Sequence, residues 1–191
     1  MKGPLFYSKI LLFGEYGIIK DSRGLSIPYN FFKGALKKDP DLKGKSLDSN
    51  MALKGYSRYL EELQEASPEL VSFDLEALKA DLDEGMFFDS SIPQGYGVGS
   101  SGALVAAIYD RYAHDKITVL ENLTREKLLK LKAIFARMES FFHGKSSGLD
   151  PLNSYLSEPW LPSSPYQDAI TLRHVLSHTS GLGHLTTSRE S

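Results

Sequence analysis

Pro93-Gln94-Gly95-Tyr96-Gly97-Val98-Gly99-Ser100-Ser101-Gly102-Ala103 is the stretch on which the fold turns. Met86 to Ile92, just before it, reads as a short strand, and Ala103 to Ala113, just after it, has the composition of a helix. Strand, glycine loop and helix in that order place unpaired backbone N–H groups and the positive end of a helix dipole at the loop. That geometry holds a di- or triphosphate without a basic patch. Gly95, Gly97, Gly99 and Gly102 let the backbone approach a ligand closely, while Ser100 and Ser101 offer hydroxyls to phosphate oxygens or to a magnesium ion. The plainer reading is a tight connection between a strand and a helix. Gly97, Gly99 and Gly102 also satisfy G-x-G-x-x-G, but a dinucleotide site needs an acid ending the next strand. Ile117 to Leu120 followed by Glu121 is the only strand-like run at that distance, and Pro93 and the serine pair argue against it.

Downstream lies the longest periodic segment, Thr124 to His143, with Leu128, Leu131, Phe135, Met138 and Phe142 on one stripe and Gly144 as its stop. Helical geometry puts Glu139 at the edge of that stripe. A partly buried acid is costly unless paired with a cation or a metal; the alternative is an edge glutamate that snorkels to water or pairs with Lys132 or Arg137. The helix runs into His143-Gly144-Lys145-Ser146-Ser147-Gly148-Leu149-Asp150. Gly144 to Gly148 matches the G-x-S-x-G nucleophile elbow, yet that elbow needs a strand before the serine, where this sequence has a helix. Asp150 is then either a carboxylate carried to a fixed place or a turn residue before Pro151.

Upstream, Leu5 to Ile19 reads as one or two strands interrupted at Gly14, with Lys9, Leu11 and Phe13 on one face. Leu53, Tyr56, Leu60 and Leu63 predict a helix over about 50–66 with Ser49 as its cap. Leu75, Leu78 and Leu82 predict another over 75–84, capped by Asp74 and ended by Gly85.

Composition narrows the function classes. With 22 basic against 24 acidic residues in 191, the chain offers no broad cationic field for nucleic acid or an anionic membrane. No run approaches the length of a membrane span, and Ile10 to Phe13 is too short for a signal-peptide core. The lack of cysteine removes disulfides and thiolate chemistry and accords with a cytoplasmic setting. After Leu156 the composition shifts: Ser157 to Pro165 holds three prolines around the sole tryptophan, and three of the five histidines lie beyond. A boundary near 157 is expected, separating residues 1–156 from an unrelated, weakly structured tail.

Ser8-Lys9-Ile10-Leu11-Leu12-Phe13-Gly14-Glu15-Tyr16, the Pro93 to Ala103 loop, and Glu139 followed by His143 to Asp150 together resemble the GHMP small-molecule kinases, mevalonate kinases above all. The resemblance implies an α+β N-terminal domain of that family, a mixed sheet packed by helices with the glycine loop at a helix N-terminus, over residues 1–156. It implies ATP and Mg2+ as cofactors and phosphorylation of a hydroxyl on a small metabolite such as mevalonate. Carried over by position, Asp150 deprotonates or orients that hydroxyl, Lys9 lies near substrate and base, and Glu139 and Ser101 hold magnesium. Pro93, Gly95, Gly97, Gly99, Ser100, Ser101 and Gly102 bind the nucleotide, and Glu15, His143 and Ser147 face the substrate. Tyr16, Gly102 and Lys145 stand where relatives often carry His, Ala and Asn. The family's third glycine-rich motif is not found, so the chain reads as a truncated half. Ile170 to Leu182 resembles instead a segment of serine beta-lactamases and penicillin-binding esterases, without their S-x-x-K nucleophile. Two alternatives therefore stand beside the kinase: a nucleotide-binding fragment without turnover, and a serine hydrolase fragment.

Overall fold

The computed structural model describes residues 3–13, 25–118 and 123–156. Two strands open the fold, β1 (Phe6–Phe13) and β2 (Leu25–Lys38). Helices α1 (Lys45–Ala66) and α2 (Leu75–Asp83) precede β3 (Met86–Ser90), and α3 (Ser100–Tyr112), α4 (Arg125–His143) and α5 (Leu149–Leu156) follow. The described sheet has the order β1-β2-β3 and is antiparallel throughout, where a mixed sheet was expected.

β2 escaped the sequence reading for a physical reason. Its first half pairs only with β1, from Leu25 opposite Phe13 to Tyr29 opposite Ser8. Its last residues pair only with β3, from Ala35 opposite Asp89 to Lys38 opposite Met86. Between them the β1 register jumps from Tyr29 to Lys33, so Asn30, Phe31 and Phe32 bulge out of the ladder. Such a strand has no single alternating face, and Pro28 is tolerated because its far side carries no partner among the described strands.

The helices hold the core. Leu53, Tyr56, Leu60 and Leu63 of α1 are buried as their spacing predicts, but the helix begins at Lys45, five residues earlier than expected. Ser49 does not cap it: its hydroxyl accepts the Phe88 N–H at 3.0 Å and ties α1 to β3. Asp74 caps α2 as expected by accepting the Ala77 N–H, and Gly85, at φ 85°, ends the turn into β3. Buried Asn50 donates to the carbonyls of Leu82 and Met86, satisfying both across that turn. α3 is apolar nearly all round and lies at the centre. Its Tyr109 packs edge-to-face with Phe135 of α4 and Tyr155 of α5, with ring centroids 5.0 and 5.4 Å apart. α4 runs from Thr124, whose hydroxyl accepts the Lys127 N–H, to Gly144 at φ 69°. Phe142, expected in the buried stripe, is instead exposed, its ring lying against Tyr56 and Phe141 at the helix end.

α5 was also unforeseen. Asp150-Pro151 suggests a turn, yet proline in a first helical turn removes only an N–H that would have no partner there. Leu152 and Tyr155 then bury one face of it.

Candidate active site

The loop between β3 and α3 leads directly into the first turn of α3. Gly95, Gly97 and Gly99 take φ of 82, 67 and 81°, in the left-handed region that side chains with a Cβ rarely adopt. The loop is fixed at its end by β1, where the Lys9 N–H donates to the Val98 carbonyl at 3.0 Å. Pro93 is half-buried beside the inward Ile92, and Tyr96 stands in solvent. α3 starts at Gly99 with no side-chain cap, so the N–H groups of its first turn, Ser100, Ser101 and Gly102, face the loop mouth without intrahelical partners. Gly102 serves packing as well. A Cβ there would lie 2.6 Å from the Asp150 carbonyl carbon and 2.8 Å from the Pro151 nitrogen, so only glycine lets α5 lie this close to α3.

Two polar groups flank this turn. In the first, Ser101 Oγ donates to Glu139 Oε1 at 3.0 Å and lies 3.0 Å from His143 Nε2. Ser146 Oγ donates to Glu139 Oε2 at 2.5 Å. Glu139 is only 3% exposed and makes no ion pair among the described residues, with Lys132, Arg137 or any other cation. Burial is the strongest influence on its carboxyl and pushes it above the usual carboxylate range. The charge of Asp150 adds to this, while the two serine hydrogen bonds and His143 oppose it.

In the second group, buried Lys9 Nζ lies 3.1 Å from Asp150 Oδ1. Gly99 packs on this second group, since a Cβ on it would touch Lys9 Cγ at 3.1 Å and approach Asp150 Oδ2 at 3.9 Å. The two groups are neighbours because Gly102, next to Ser101, lies against the Asp150 backbone and the charge of Asp150 is felt at Glu139. β1, the glycine loop, α4 and α5 thus bring Lys9, Ser101, Glu139, His143 and Asp150 to one place. Asp150 occupies the first turn of α5, not a free turn. Ser147 is exposed, its hydroxyl accepting the Leu149 N–H, whereas the hydrogen bonds to Glu139 come from Ser101 and Ser146. Glu15 and the 157–191 segment lie outside the described residues, as does most of the strand-like run after Ile117. No strand precedes Ser146, because α4 leads straight into the 144–148 loop. Ser146 is the group whose part in the site sequence reasoning missed; its only signal was as the serine of the G-x-S-x-G match, which points to a different chemistry.

Among the described residues no cluster of three or more His, Asp or Glu side chains is arranged to hold a metal, and no helix is long and apolar enough to cross a membrane. The available oxygen donors near Glu139 are one carboxylate and two hydroxyls. These are hard donors, suited to a magnesium ion that takes its remaining ligands from phosphate and water.

The chain belongs to the GHMP kinases: the family model described as the GHMP kinases N terminal domain matches residues 52–158, more than half of its length. By class it is a small-molecule kinase, an ATP-binding transferase of a family that generally works with Mg2+. The glycine loop, Glu139 and the His143 to Asp150 segment all fall inside the match, and Lys9 lies before it. Among curated proteins, no sequence matches this chain.

Proposed function

We propose that this chain transfers the terminal phosphoryl group of ATP to a hydroxyl of a small metabolite, with mevalonate, to whose kinases its motifs are most similar, as first choice. Residues 1–156 form the domain that does so, in a cytoplasmic setting. The observation that carries the reading is the meeting, at the first turn of α3, of a metal-suited pair (Ser101 and Glu139) with a lysine–aspartate pair (Lys9 and Asp150).

Phosphoryl transfer is mostly positioning and charge neutralisation. The first-turn N–H groups of α3, with the backbone of Pro93 to Gly99, cradle the phosphates, and the Ser100 hydroxyl adds a donor. Glu139 and Ser101 would hold Mg2+, which supplies charge neutralisation on the phosphate oxygens when bound. Asp150 accepts the proton of the substrate hydroxyl at a carboxylate oxygen. Lys9 holds Asp150 in its orientation and places a positive charge beside the reacting oxygens. His143 and Ser147, both exposed at the α4–α5 connection, are assigned to the acceptor side, as Glu15 is by the resemblance alone.

The test is transfer of radiolabel from ATP to mevalonate, homoserine, galactose and diphosphocytidyl-methylerythritol, with Asp150→Asn beside the wild type. Transfer to one acceptor, reduced by Asp150→Asn on the order of 10²–10⁴-fold with ATP affinity unchanged, is expected of a general base. ATP binding with transfer to no acceptor would leave a nucleotide-binding fragment instead. Cleavage of a chromogenic ester or cephalosporin would favour the hydrolase.

A further inference from the structure

Glu139 is bracketed by two hydroxyls from different parts of the chain. Ser101, in the first turn of α3, donates to Oε1; Ser146, in the loop after α4, donates to Oε2. Ser146 is itself held, because its oxygen accepts the Gly148 N–H at 3.0 Å. That loop is pressed onto α4: Gly148 has φ 73°, and a Cβ there would lie 2.2 Å from the Lys132 carbonyl oxygen. A fixed backbone therefore aims the Ser146 hydroxyl at the carboxylate.

This matters because Glu139 is buried and makes no ion pair among the described residues. An ionised carboxylate in that position needs donors on both oxygens to stay charged and to keep one orientation. Ser101 alone fixes one oxygen and leaves the group free to swing about it. Ser146 fixes the second, and with it the direction of the lone pairs left for a metal ion. Ser147, next in the chain, is turned outward and cannot substitute.

We infer that Ser146 is a positioning residue for the metal-binding carboxylate: by donating to Glu139 Oε2 from a backbone-anchored loop, it sets the site's affinity for a divalent cation. The inference rests on the proposed kinase reading, since it takes Glu139 as a metal ligand. It also couples the 144–148 loop, which carries Asp150 at its far end, to the metal site, so that one short segment sets both carboxylates.

The test is Mn2+ binding followed by electron paramagnetic resonance, with and without ADP, on the full chain as wild type, Ser146→Ala, Ser146→Thr and Ser146→Cys. Ser146→Ala should weaken Mn2+ binding by about tenfold, the usual scale for losing a partner that orients a metal ligand. Ser146→Thr, which keeps the hydroxyl at a half-buried position, should restore it to within about twofold of wild type on that scale. Ser146→Cys keeps the volume but donates weakly, and should fall near the alanine variant, which decides the matter if alanine does not fold. In turnover, KM for metal-ATP should rise more than kcat falls. Wild-type affinity in the alanine or cysteine variant, or threonine as weak as alanine, would overturn the inference while leaving the kinase reading intact. Absence of Mn2+ binding by wild type, even with ADP, would overturn both.

Discussion

Glu139 shows how a single side chain can be costly to the fold and still useful to the site. Its carboxyl is buried, shifted upward and without an ion pair among the described residues, so at neutral pH its charge works against folding. Glu139→Gln keeps the shape and removes the charge, and either serine can turn to accept from the amide. In the absence of divalent metal this variant should melt about 2–4 °C above wild type, the shift worth roughly 1 kcal/mol in a chain of this size. With Mn2+ and ADP added, wild type should gain stability and the variant should not. Calorimetry under the two conditions checks both signs. Gly102 behaves differently. A Cβ here would run into the backbone of Asp150 and Pro151. Gly102→Ala should therefore cost about 1–3 kcal/mol and lower turnover by displacing Asp150. Denaturant melts and labelled-ATP assays would show the two losses together; an alanine variant of unchanged stability would mean that α5 yields easily.

At the scale of elements, one carboxylate joins three of them. Asp81 of α2 lies 2.7 Å from Lys38 Nζ of β2 and 2.6 Å from Arg111 Nη2 of α3, and accepts the Tyr112 hydroxyl at 2.6 Å. Burial by itself would raise its carboxyl, but the hydrogen bonds from Lys38 and Tyr112 and the charge of Arg111 outweigh it and leave it below the usual value. A depressed carboxyl contributes stability that is complete above its unfolded value, near 3.8, and is lost as pH falls through the folded one. Asp81→Asn should thus cost about 1–3 kcal/mol at pH 7, the scale for hydrogen bonds to a charged group. The gap from wild type should close as pH drops below about 4. Melting curves from pH 7 to pH 3 test this, and a gap constant over that range would remove the charge from the explanation. Elements of this kind differ in how far sequence exposes them. α2 and α4 were legible because one face of each is buried in steady repeat and side-chain caps mark their starts. β2 was not, because its two halves pair with different strands across a three-residue bulge. α5 was hidden by Asp150-Pro151. The site divides in the same way. The glycine loop, Glu139 and Asp150 stood out by residue type and spacing, whereas the Lys9–Asp150 contact and the bracketing by Ser146 arise only when β1, α4 and α5 meet.

For the molecule as a whole, the family match begins at residue 52, inside α1, yet the folded unit reaches back to β1. Phe6 is fully buried in the core, and Ala35 is buried beside the contact of Gly34 with the Phe88 ring. β1 also fastens the site. Lys9 holds the glycine loop through Val98 and Asp150 through its ammonium group, and the Tyr7 carbonyl accepts from Ser154 of α5. β3 pairs with β2 alone among the described strands, so without residues 1–51 its backbone groups have no ladder and the loop loses its anchor. Burial of Phe6 alone is worth about 1.5–3 kcal/mol, a large share of an ordinary domain's net stability of roughly 5–15 kcal/mol. A fragment of residues 52–158 should therefore show no cooperative melt and weak near-ultraviolet dichroism, while residues 3–156 should melt as one transition with the far-ultraviolet signal of five helices. If residues 52–158 unfold cooperatively on their own at a temperature near that of the longer fragment, β1 and β2 are an attachment to the fold, and Lys9 would have to act on Asp150 from outside it.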